Sequence, residues 1–160
     1  MAADQPVGFR YTANTRPISA IVTQVRFGDA DAVQSTNRVG LESYFGDAFM
    51  DPAAAGTSFF EFLTLYNPTS VQANIAIKLL FLDGTSSTVN VQLGANSYGE
   101  VRMHELTQLT GRSGPTWFSI NVTSDVPMMN WLGHYDLNLG GGWTSGAVSF
   151  GITIPLTSYT

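Results

Sequence analysis

The chain has 160 residues, of which 44% are hydrophobic and 12% charged, with a formal net charge of −5 and no cysteine. That apolar content argues against disorder, and the length suits one domain with a single core. The acidic balance and six scattered arginines argue against nucleic acid as the main partner, because phosphate recognition clusters Lys and Arg. Without cysteine there is no disulfide framework, no thiolate chemistry and no Cys-based zinc site.

In chain order, Met1 to Arg16 is mostly polar, and its opening MAADQPVGFR lacks the apolar core of a signal peptide. A strand is predicted over 18–27, followed by a polar loop over 29–37 and a second apolar stretch over 39–49. Further period-two segments predict strands at 58–66, 72–82, 86–93, 97–104, 116–123, 128–137 and 146–154. In 72–82, for instance, Ala73, Ile75, Ile77, Leu79 and Phe81 alternate with a face that carries Asn74 and Lys78. Turn residues stand between these runs at Asn67-Pro68, Asp83-Gly84, Gly94-Ala95-Asn96, Gly111 to Gly114 and Gly140 to Gly142. Only 51–55 and 104–109 read as short helical turns. The expected class is all-β: an antiparallel β-sandwich of jelly-roll or Ig-like size with an extra N-terminal strand segment. No apolar run approaches the roughly 18 to 20 residues of a membrane-spanning helix.

Two stretches echo each other at an offset of 110, from Pro17 to Pro127. RPISAIVTQVRF and VPMMNWLGHYDL each open on a proline-led run with apolar residues at alternate positions. Ile21, Val25 and Phe27 match Trp131, Tyr135 and Leu137. The chain thus reads as an N-terminal arm or half-repeat over 1–43, the tail of one unit, followed by a complete β-domain over 44–160. The half-repeat is expected to pack against a sandwich edge, in its own chain or the next.

Candidate chemistry is sparse. His134 and Asp136 share a strand face with Asn130, and Glu100, Arg102 and His104 share a face on another predicted strand. If those strands are neighbours, the two histidines and a carboxylate could bind zinc or run acid–base chemistry; a solvated polar face is the plainer reading. There is no Gly-x-Ser-x-Gly elbow for a serine nucleophile. Gly140 to Gly142 lacks the Lys-Ser/Thr of a phosphate loop and leads into a strand rather than a helix. Trp131 and Tyr135 read as core through the echo. Trp117 and Trp143 are candidates for partner or carbohydrate contact.

The order YFGDAF, EFLTLYNPTSVQANIAIKLLFLDGT, VNVQLGANSYGEVRM and WFSINVTSDVPMMNWLGHYD resembles the sensory rhodopsin transducer-like β-sandwich family and related bacterial surface repeat modules. The resemblance covers about 44–154, and 17–43 would match the tail of a preceding repeat. Asn67, Arg102 and Pro127 fall on matching positions, whereas Gly46-Asp47-Ala48 stands where the family tends to have Ala-Glu-Gly. The resemblance implies a non-enzymatic sandwich that often oligomerises, with a signalling or cell-surface role.

The leading expectation is a non-catalytic, cofactor-free structural module that self-associates, as a cell-surface or filament component. The alternative is a soluble oligomeric module of the transducer type, with Asp47, Arg102, His104, Trp117, His134 and Trp143 as ligand or partner contacts and an enclosed pocket near Asp47, Arg102 and Trp131. Expected partners are the chain itself or another protein, with carbohydrate as a further candidate and no nucleic acid or membrane. Low charge points to an extracellular or surface location, while the absence of a signal sequence leaves the cytoplasm open.

Overall fold

The computed structural model describes residues 12–15, 21–26, 29–34, 39–137, 145–150 and 152–153; for 22–26, 29–34, 145–150 and 152–153 it describes the backbone alone. β1 (Ile21–Arg26) and β2 (Asp29–Gln34) form a two-stranded antiparallel sheet. The remaining strands are β3 (Gly40–Met50), β4 (Phe59–Asn67), β5 (Ala73–Phe81), β6 (Ser86–Leu93), β7 (Ser97–Arg102), β8 (Thr116–Asp136), β9 (Ser145–Phe150) and β10 (Ile152–Thr153). They make one eight-stranded sheet. A 3₁₀ turn at Met103–Glu105 and a single helical turn, α1 (Thr107–Thr110), are the helical elements described.

β8 organises the sheet. Its first half, through Ser124, pairs with β5 on one side and β3 on the other, with Gly40 of β3 reaching on to Met128; its second half, from Met129, pairs with β4, and from Trp131 also with β9. Pro127 lies between the two sets of pairings, where its missing N–H costs no β4 or β5 ladder bond. The strand thus changes partners midway and curls the sheet into a half-barrel. The all-β class expected from the sequence holds in this form.

The concave side is the core. Phe118, Ile120 and Val122 of β8 meet Ile75, Ile77, Leu79 and Phe81 of β5, Leu63 and Leu65 of β4, and Phe45 and Met50 of β3, with Met103 and Leu109 closing one end. Removing this much apolar surface from water is the main favourable term for the fold. Two turns are chemically explicit. Buried Asn67 donates through Nδ2 to the carbonyls of Val71 (2.7 Å) and Gly94 (2.8 Å) and accepts from the Thr69 amide (3.0 Å), tying two loops together. Gly84 adopts φ +80 between β5 and β6, where Asp83 accepts from the Thr85 amide at 2.9 Å.

Several expectations are corrected. The predicted loop 29–37 contains a strand, β2, whose DADAVQ has no aromatic and a single β-branched residue, Val33, so its pairing with β1 decides its conformation. The two predicted strands 116–123 and 128–137 are one strand. The predicted strand 97–104 stops at Arg102, and His104 lies in the 3₁₀ turn. Residues 51–55 form turns rather than a helix, because Pro52 and the Asp51 side chain, which accepts from the Ala53 amide at 3.0 Å, fix a short reversal. β3 also crosses the expected boundary between 43 and 44.

Candidate functional site

β4 is buried on both faces, and its alternation explains the site. Phe59, Leu63 and Leu65 point into the main core; Phe62 lies on the other face, beside Tyr135 at 6.1 Å between ring centroids. Glu61 occupies the core-facing row. It is 0% exposed, and neither carboxylate oxygen is paired at hydrogen-bond geometry. The β4–β8 register places His134 directly opposite, with its Nδ1 3.8 Å from Glu61 Oε1, too far for a hydrogen bond. Burial pushes the Glu61 carboxyl above the ordinary carboxylate range, Asp47 adds to the rise, and His134 and the backbone at Phe49 oppose it.

Aromatic rings surround this pair. The His134 ring stands edge-on to Phe59 at 4.7 Å; Phe59 meets Phe49 at 5.5 Å, and Phe49 meets Trp117 at 4.7 Å. Asp47 sits in the β-bulge where the β3–β8 register shifts between Phe45 and Ala48. The row ends in open water at Trp117, which is 52% exposed. Chemically, burial favours a protonated Glu61 beside His134, and the carboxylate oxygens have no surface that a substrate could touch.

The two histidines do not form the expected site. His104 is buried, its Nδ1 3.2 Å from the Glu61 amide and 3.0 Å from the Glu61 carbonyl, and its ring lies edge-on to Phe60 and Phe62. His104 therefore packs on the Phe60/Phe62 face of β4 and His134 on the Glu61 face. Among the described residues, no group of three or more His, Asp or Glu is placed to hold a metal ion. Arg102 lies on edge strand β7 and pairs with Glu105 at 3.0 Å. Strands β8 and β4 separate β7 from β3, so Arg102 and Asp47 do not share the expected pocket. Trp131 contacts Tyr98 at 5.8 Å on the far side of the sheet from Glu61. Trp143 lies outside the described residues. Sequence reading missed Glu61, although a lone Glu in the row Phe59, Leu63, Leu65 was the signal available.

The sheet edges form the other candidate surface. β7 carries Glu100 and Arg102 and turns into a 3₁₀ segment, which blunts it. β6 has neither charge nor proline in SSTVNVQL, pairs only with β5, and has no partner on its outer edge among the described residues. Its residues alternate between half-buried Val89, Val91 and Leu93 and exposed Thr88, Asn90 and Gln92. The adjoining outer surface is a shallow groove whose polar side chains partly satisfy one another, with the Asn74 amide donating to Asp125 at 2.8 Å and Gln92 Nε2 to Asn74 at 2.9 Å. At the far end of the same face, Leu80, Leu82 (82% exposed) and Trp117 stand in water.

No protein-family model matches the chain, and no curated protein matches it. Solved structures do. The crystal structure of Thermotoga maritima 1070 superposes with a TM-score of 0.61 at 21% identity, covering 72% of this chain and 95% of that one. The Anabaena sensory rhodopsin transducer superposes with a TM-score of 0.51 at 17% identity, covering 61% and 91%. The fold is transducer-like. At these identities the likeness establishes the fold and leaves function to the chain's own residues. No helix among the described residues is long and apolar enough to cross a membrane.

Proposed function

We propose that this chain is a non-catalytic structural β-module that associates with copies of itself, serving as a component of a cell-surface or filamentous assembly. The observation that carries this reading is the outer edge of β6: an eight-residue strand without charge, proline or bulge, whose alternation would continue unbroken across an antiparallel partner. A two-fold axis perpendicular to the sheet would place Val89, Val91 and Leu93 of both copies on one side and Thr88, Asn90 and Gln92 on the other. The closed carboxylate of Glu61 supports the non-catalytic part of the reading.

Light scattering over a concentration series tests it, on the chain and on Asn90→Lys, which adds charge to an exposed edge position without touching the core. Mass should rise with concentration in the parent and stay at one chain in the variant. A parent that remains monomeric throughout contradicts the reading.

A second reading, a transducer-type ligand-binding module, is favoured by the aromatic row that runs from Phe59 through Phe49 to exposed Trp117. Saturable quenching of Trp117 fluorescence by a small-molecule panel would favour it over association.

A further inference from the structure

The echo at an offset of 110 reappears as geometry. β1 pairs with β2 over six positions, from Ile21 opposite Gln34 to Arg26 opposite Asp29. The segment of β8 that pairs with β9 also spans six positions, from Trp131 opposite Phe150 to Asp136 opposite Ser145. Ile21 and Trp131 are echo equivalents, as are Arg26 and Asp136, so the two ladders begin and end at matching residues. Their connections differ in length, residues 27–28 in one and 137–144 in the other.

The surroundings differ more. In the second hairpin, β8 is central: β9 pairs with one edge and Phe59–Thr64 of β4 with the other. In the first, β1 pairs with β2 and its opposite edge has no partner among the described residues. β2 passes close to β9, so the first hairpin sits beside the second. A two-stranded hairpin in water is marginal by itself, and a strand patterned for a central position is the poorest choice for an open edge.

We propose that β1–β2 is the closing hairpin of a second module of this same fold, and that the outer edge of β1 receives that module's counterpart of β4. The partner is a module that lacks a closing hairpin of its own and stands before this one in chain order, as β4 stands before β8. The inference extends the associating-module reading but rests on a different strand, so the β6 test can fail without it.

The test replaces residues 1–16 of the full chain with residues 1–126 of a second copy, joining Val126 to Pro17 as the echo aligns them. The first unit of this fusion lacks residues 127–160 of its own, and the hairpin at 21–34 of the second copy follows Val126 as the rest of β8 and β9 would. A reference fusion keeps residues 1–160 ahead of residues 17–160. The first fusion should resist proteolysis over both units and show about twice the unfolding heat of the single chain. Thr23→Pro in its second unit, within β1, should expose the first unit to digestion. Loss of the first unit from the parent fusion while the reference fusion survives overturns the proposal. Survival of the fusion irrespective of Thr23→Pro overturns it equally.

Discussion

The two hairpins share a ladder and differ in cover. Trp131–Asp136 is paired on both edges, and its Leu132 and Tyr135 are buried; Ile21–Arg26 is paired on one edge, and Ile21 is 71% exposed. Alternation and a proline at the start specify the hairpin in both cases. What makes one copy part of a core is the strand laid against its far edge. Local pattern chooses the element, and the presence of a partner determines its contribution to stability.

The largest expected effect tests the covered copy. Leu132→Ala should lower unfolding free energy by about 2–4 kcal/mol, as truncation of a fully packed leucine does, measured by urea denaturation. A loss below about 1 kcal/mol would show that the covered hairpin is not integral to the core.

Glu61 marks the same difference chemically. His134 on β8 faces Glu61 on the neighbouring β4, whereas its echo equivalent, Gln24, has no such strand beside it among the described residues. Because burial raises the folded-state pKa of Glu61, the folded chain holds a proton that the unfolded chain releases. Stability from this group is therefore fully present below the ordinary carboxylate range and is lost as pH rises through the raised value. Glu61→Leu should flatten that slope and stabilise the chain at neutral pH by about 1–3 kcal/mol, with the gain disappearing in acid. Thermal unfolding at several pH values reads it; equal slopes in parent and variant would show that Glu61 does not titrate differently on folding.

The smallest effect belongs to the uncovered copy. Thr23→Pro in the single chain should change stability by less than about 0.5 kcal/mol, since among the described residues no strand covers the outer edge of β1. A larger loss by the same urea assay would show that β1 is already covered in the isolated chain.

Much of this was legible in the sequence. β5 and β6 alternate cleanly on either side of Asp83-Gly84, and Asn67-Pro68 declared a turn, because each signal is local. The continuity of β8 was hidden by Pro127, which suggests a break from sequence and is tolerated only because the strand changes partners there. His104 read as a strand residue on a shared polar face, but its hydrogen-bonding partner is the backbone of Glu61, 43 positions away, and no spacing rule reaches that far. Asp47 and Arg102 were joined through a family pattern that the strand order separates.

The most direct measurement is residue-resolved amide exchange on the fusion of residues 1–126 to residues 17–160. The account predicts that the Ile21–Arg26 amides of the second copy, fast in the single chain, become as slow as those of Trp131–Asp136 once an upstream β4 is supplied. Amides at 21–26 that exchange as fast in the fusion as in the single chain would contradict it.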